Sequence, residues 1–308
     1  MSQLKVVLGS GVDISGTVAS ARYSGDMNKV ARELELTLAS SVQSYITIGE
    51  KVAAYLDGTQ FFYGIILNVP SVANAQTMNI KCVDFGIYLS KNKTYKVYSG
   101  TAREIAKEVC NEFGIATGSL ASKSGQRKIT STGDKSAYDV IREAYEEENA
   151  VDREYVIYIK NRKLYVEKAG SDVVADIYGK YNITSASYSE SIENMVNRVI
   201  ILDEKGEKKK DSVEDKENRN RYGTFTETYK RQKDKNDREE AKKKLKGVVK
   251  TGSVGALGDI NCIAGKAIRL ADTGSKLKDK YTISADSHTF SAGDHQMNLT
   301  LYFKQEES

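Results

Sequence analysis

Proline occurs once in 308 residues and tryptophan not at all, and only two histidines and three cysteines are present. Cys82, Cys110 and Cys262 lie far apart and are odd in number, which fits neither a disulfide framework nor a paired-cysteine metal motif. His288 and His295 stand seven positions apart, so neither the HExxH nor the two-Cys, two-His zinc spacing is met. No apolar run approaches the roughly 18 residues of a membrane span. The N-terminal stretch Leu4–Leu8 meets Gly9-Ser-Gly11 too soon for a signal peptide. These absences argue against secretion, membrane insertion and stapling by disulfides, and point to a protein made in a reducing cytoplasm.

Nucleophile chemistry finds equally little support. No G-x-S-x-G elbow occurs, and no cysteine neighbours a histidine. Gly9, Gly11 and Gly16 miss the dinucleotide fingerprint, whose third glycine would fall at position 14. Gly252, Gly255 and Gly258 lack a following G-K-[ST] and read as a turn-rich connection before a strand at Asp259. Glu146-Glu147-Glu148 are consecutive at a helix end, point in different directions and read as a solvated terminus. Asp286 and Asp294 lie near the histidines, which read as the edges of a turn. No catalytic, cofactor-binding or metal-binding residue is expected, and no cofactor.

What is present is tyrosine, 19 against 7 phenylalanines, and a net charge of +4. Tyrosine joins a large apolar body to a polar tip and suits surfaces that become buried in a complex. The excess charge lies between Asp203 and Lys246, where 16 Lys/Arg face 12 Asp/Glu. The signs interleave there rather than cluster, so the segment reads as a solvated insertion and not as a nucleic-acid surface.

The first ninety residues read as strands. Leu34, Leu36 and Leu38 alternate with Glu33, Glu35 and Thr37, the period of a half-buried strand. Further strands fit Lys51–Leu56, Phe61–Val69 and Thr77–Phe85, with Asp57-Gly58 as a hairpin turn. Helical periodicity then takes over in Ala102, Ile105, Ala106, Val109, Cys110 and Phe113, opened by a Thr101/Glu104 capping box and closed by Gly114. A second helix begins at Ser136. Strands Tyr155–Lys160 and Lys163–Lys168 flank Asn161-Arg162. Beyond Tyr181 the chain returns to strands, with a short helix anchored by Ala241 and Leu245 in the charged segment.

Three blocks recur in order: Ser20–Ser24 with Ser185–Ser189, Gly49–Val52 with Gly265–Ile268, and Met78–Cys82 with Met297–Leu301. They imply a duplicated β-domain, with the strand near Leu36 answered by Val199–Leu202. The expected fold is α+β and mainly β: two related small barrels at 1–92 and 179–308 flank an α+β domain at 93–178. The second barrel carries a charged, partly helical insertion at about 203–259. Three copies of such a chain offer six similar units.

This domain order, with Ser136–Ile141 in the middle and Tyr281–Phe290 and His295–Leu299 at the end, resembles the baseplate hub proteins of contractile phage tails. These form the late-control-D superfamily, and the similarity is to those of PBSX-like prophages and tail-like bacteriocins. The resemblance implies tail-tube-like β-domains, and a homotrimer with pseudo-sixfold symmetry between a hexameric tail-tube protein and a central spike protein. It also implies contact with other baseplate proteins and assembly in the bacterial host cytoplasm into a virion or phage-like particle. It implies no enzymatic activity and no membrane partner. Some related hubs carry a lysozyme or peptidase domain, for which no room is expected after the last strand. The charged insertion has no place in the family pattern. The alternatives are a tail-associated cell-wall hydrolase or another tail protein, such as a distal-tail or tube component.

Overall fold

The computed structural model describes residues 3–70, 73–146, 152–179, 181–207 and 209–304. Its chain divides into two compact units: Met1–Ser187 with Ser253–Tyr302, and Tyr188–Gly252 with the C-terminal residues from Phe303.

The first unit opens with strands β1 (Leu4–Leu8), β2 (Val18–Asp26), β3 (Glu33–Ala39), β4 (Lys51–Leu56), β5 (Thr59–Asn68) and β6 (Thr77–Asp84). The leucines at 34, 36 and 38 are buried, and each such side chain contributes about 1.5–3 kcal/mol through burial. Asp57 and Gly58 both take positive φ, the turn that matches strand twist in a tight hairpin. Helix α1 (Gly86–Lys91) follows, then β7 (Lys93–Gly100), α2 (Ala102–Glu112), β8 (Ala116–Leu120), β9 (Arg127–Ser136), α3 (Ala137–Tyr145), β10 (Tyr155–Lys160) and β11 (Lys163–Lys168). Both α2 and α3 begin at complete capping boxes, Thr101 with Glu104 and Ser136 with Asp139. Their apolar stripes, Cys110 included, share one core with Ile129, Ile157 and Leu164.

After β12 (Val173–Tyr178) and β13 (Ile183–Ser191), the second unit holds β14 (Arg198–Leu202), β15 (Lys209–Glu214), α4 (Lys216–Tyr222), β16 (Thr226–Lys230) and α5 (Asp237–Lys242). The charged segment is therefore organised: β14 lies between antiparallel β15 and parallel β16. Ala241 of α5 packs with Val199, Ile201, Val213 and Tyr229, with Leu245 against the same cluster. The chain closes with β17 (Val249–Leu257), β18 (Ala267–Ala271), β19 (Lys278–Ser291) and β20 (Asp294–Tyr302).

Three expectations need correction. The halves do not form closed barrels. One 12-stranded sheet runs β1-β4-β5-β6-β3-β2-β19-β20-β17-β13, with β12 and β18 branching from β19. The reason is that β2 pairs along β19, so the edge of one half is used by the other instead of closing on itself. The strand answering β3 is β17, not Val199–Leu202, which belongs to the separate three-stranded sheet. Gly252 and Gly255 thus sit within a strand rather than a connection. A Cβ on Gly255 would lie 2.5 Å from Ser185 Oγ, so the glycine permits β13 to approach.

Candidate functional site

With β17 in place, the duplication extends to hydrogen-bonding detail. The order β4-β5-β6-β3-β2 is repeated as β18-β19-β20-β17-β13. Leu36 faces Ile80 and Leu38 faces Met78, as Val254 faces Leu299 and Ala256 faces Met297. Gly49 N–H donates to Ile66 O and Ile66 N–H to Glu50 O, at 2.8 and 2.9 Å. Gly265 with Ile283, and Ile283 with Lys266, repeat both bonds at the same distances. Gly49 and Gly265 both have positive φ. Each half carries a register shift just after this point, between Ile66 and Asn68 and between Ile283 and Ala285. β1 and β12 differ: β1 runs antiparallel to β4, β12 parallel to β18.

The halves meet where β2 lies beside β19, Ser20–Asp26 opposite Ala285–Ser291. Rings from both sides interleave there, Phe61 stacking on Phe290 at 5.5 Å and edge-on to Tyr23 at 5.1 Å. Beneath them lies a buried polar network. Arg32 Nη1 donates to Asp286 Oδ1 at 3.0 Å, with a second, shorter bond from Nη2 to Oδ2, and Nε donates to Tyr23 Oη at 2.6 Å. Ala264 N–H donates to the same Asp286 carboxylate at 2.6 Å. Burial opposes ionisation of Asp286, yet Arg32 and His288 hold its pKa below the usual carboxylate range. Asp84 accepts from the backbone N–H groups of Arg32 and Gly86, but burial still pushes its pKa up to about 7.

The histidines belong to facing strands, His288 fully buried on β19 and His295 on β20. The Cys262 carbonyl can only accept, so His288 Nε2 donates to it at 3.1 Å. His288 Nδ1 and His295 Nε2, 3.1 Å apart, then share one proton between them. Burial first, then His288, lowers the His295 pKa to about 4. Asp294 is exposed beside the tight turn at Ala292-Gly293. Among the described residues, no group of three His, Cys, Asp or Glu side chains is placed to hold a metal ion. Among the described residues, no helix is long and apolar enough to cross a membrane.

Glu146 is not solvated as expected: it is buried and bound by Arg153 Nη1 at 2.7 Å. Glu147 and Glu148 lie outside the described residues. All three cysteines are buried, and burial pushes each thiol up to about 12, so they act as packing groups. Arg32 and Asp286 are 254 residues apart, and no spacing in the sequence announces their pairing.

The fold is shared by known tail proteins. The 43 kDa tail protein of prophage MuSo2 from Shewanella oneidensis superposes with a TM-score of 0.73 at 12% identity, covering 98% of each chain. A tail protein from Neisseria meningitidis MC58 does so at 0.70 and 16% identity, over 97% of this chain and 96% of that one. The Escherichia coli c3393 protein, a type VI secretion component described as similar to the T4 tail proteins gp27 and gp5, gives 0.56 at 9% identity over 94% and 74%. No curated protein matches the sequence significantly. The chain belongs to the YQBQ-like family, whose model matches residues 21–302.

Proposed function

We propose that this protein is a structural component of a phage tail or tail-like particle, and within it the baseplate hub that joins a hexameric tail tube to a central spike as a homotrimer. The observation that carries this reading is the duplicated five-stranded half, matched in order, register and turn bonds. One chain offers two equivalent β-units, and three chains offer the six that a sixfold tube needs. The tail proteins that share the fold support placing it in a tail. The polar groups most resembling a catalytic cluster, Arg32, Asp286 and His288, are buried and engaged with one another, which favours a non-enzymatic role. In this reading assembly takes place in the bacterial host cytoplasm, alongside other baseplate proteins.

Co-assembly with the tube and spike proteins, imaged along the tail axis, tests the assignment. Three copies at the axis between tube and spike are expected. Six copies stacked along the tail would make it a tube component, and an off-axis position would remove it from the hub. Clearing of peptidoglycan by the purified chain would favour a cell-wall hydrolase instead.

A further inference from the structure

The repeat makes the contact between the two halves a template. Within the chain, β2 lies beside the C-terminal part of β19, with Ala285 opposite Asp26 and Ser287 opposite Ser24. Just past β2, Met27 N–H donates to Ser284 O at 2.8 Å. Its side chain is 2% exposed, clustered with Ala264, Val156 and Tyr158.

Each participant has a counterpart. β13 is as long as β2, and its Ser185–Ser189 block answers Ser20–Ser24, so Ser191 answers Asp26 and Ile192 answers Met27. The matched turn bonds and register shifts set Leu67 against Ser284, Asn68 against Ala285, Val69 against Asp286 and Pro70 against Ser287. Ile48, before Gly49, answers Ala264, before Gly265. Among the described residues β13 does not pair with β5; it ends the sheet path beyond β17. Where β5 corresponds to the receiving part of β19, Leu67 is 41% and Ile48 67% exposed, while Ala264 at the filled position is 5% exposed. The first half thus displays apolar side chains where the second half has them covered.

We propose that a second copy of this chain fills that position. Strand β13 of one copy adds antiparallel to the end of β5 in the next, with Leu67 opposite Ile192, Asn68 opposite Ser191, Val69 opposite Glu190 and Pro70 opposite Ser189. Ile192 seats against Ile48 as Met27 seats against Ala264. Leu67 and Ile192 inherit the hydrogen-bonded pairing of Ser284 with Met27. By alternation Pro70 then falls at a non-hydrogen-bonded site, where its missing N–H faces away from the incoming strand. The contact is head-to-tail, so it propagates from copy to copy and is satisfied everywhere only when the ring closes. The pairing also covers the outer edge of β13, which otherwise ends the sheet path and stands open to stray strands.

This inference rests on the ring assembly proposed above, and the test separates the two. Residues directly opposite at a non-hydrogen-bonded pair have Cα atoms about 4.5 Å apart, within disulfide reach, whereas diagonal partners at about 7–8 Å are not. An Asn68→Cys/Ser191→Cys chain is oxidised at high concentration and run without reductant, beside an Asn68→Cys/Ser189→Cys control. The native cysteines are buried and do not compete. The expected result is a covalent trimer from the first pair and mostly monomer from the second, with Ile48→Lys abolishing both the trimer and its cross-link. A multi-copy particle by native mass that fails to cross-link, or cross-links better through the control pair, overturns the register and leaves the ring standing. Monomer by mass at every concentration, with no cross-link, overturns the ring as well.

Discussion

Replacing Arg32 by methionine tests whether the network beneath β2 and β19 is sealed from water. The methionine fills much of the volume but removes the guanidinium that holds both oxygens of Asp286 and the Tyr23 hydroxyl. Asp286, with no exposed side-chain surface, keeps only Ala264 N–H and His288 as partners. Removing one partner of a buried pair generally costs about 3–5 kcal/mol, because the remaining charge is left without compensation. For a domain this large the cost corresponds to a fall in Tm on the order of 10 °C. The assay is denaturant unfolding followed by tyrosine fluorescence, since tryptophan is absent. The double variant Arg32→Met/Asp286→Leu should recover part of the loss, because it removes the stranded charge with its partner. A single-variant cost below about 1 kcal/mol, the range of solvent-exposed pairs, would refute the claim that the network is dry.

Three further outcomes follow. The folded pKa of His295 near 4 lies below the unfolded value near 6.5, so the unfolded chain binds more protons in that window and stability falls as pH drops through it; His295→Gln should shrink the loss of denaturant midpoint between pH 7 and pH 4.5. Gly64→Ala should destabilise by about 1–3 kcal/mol, because the new Cβ would lie 2.2 Å from the rigid Val83 carbonyl oxygen; an unchanged midpoint would contradict that packing. Ala241→Lys should open the small sheet of β14–β16 to protease, with cleavage between residues 188 and 252 while Met1–Ser187 survives as a fragment; uniform digestion would contradict the division into two units.

Legibility in the sequence followed the range of the interaction. Strands β3 to β6 and helices α2 and α3 were readable because alternation and capping boxes are written within a few residues. The repeat was readable in short blocks that fall on matching strands: Met78–Cys82 occupies β6 as Met297–Leu301 occupies β20. It was misread where composition mimicked the wrong element. Val199–Leu202 has the apolar run of a core strand and drew the match to β3, while β17 carries two glycines and looks like a loop. Gly255 answers the closeness of β13, a tertiary demand that local pattern does not carry. Glu146 looked solvated because its partner, Arg153, lies beyond residues 147–151. Closure into barrels failed as an expectation because it depended on β2 finding β19, more than 250 residues away.

The segments joining the paired strands tell a separate story about freedom to vary. Between β2 and β3 the chain has only Met27 to Arg32, and both ends of that short link are committed: Met27 to its apolar seat, Arg32 to Asp286. The corresponding link between β13 and β17 runs from Ile192 to Val248 and holds nearly a whole compact unit with its own small core. Duplication lets one copy preserve the geometry on which the sheet depends, which releases the other to host new material at the same point. In the ring proposed above, where the two kinds of half alternate, that freedom would place an outgrowth at every second position. A nearly sixfold surface would thereby become a truly threefold one, able to distinguish partners of different symmetry.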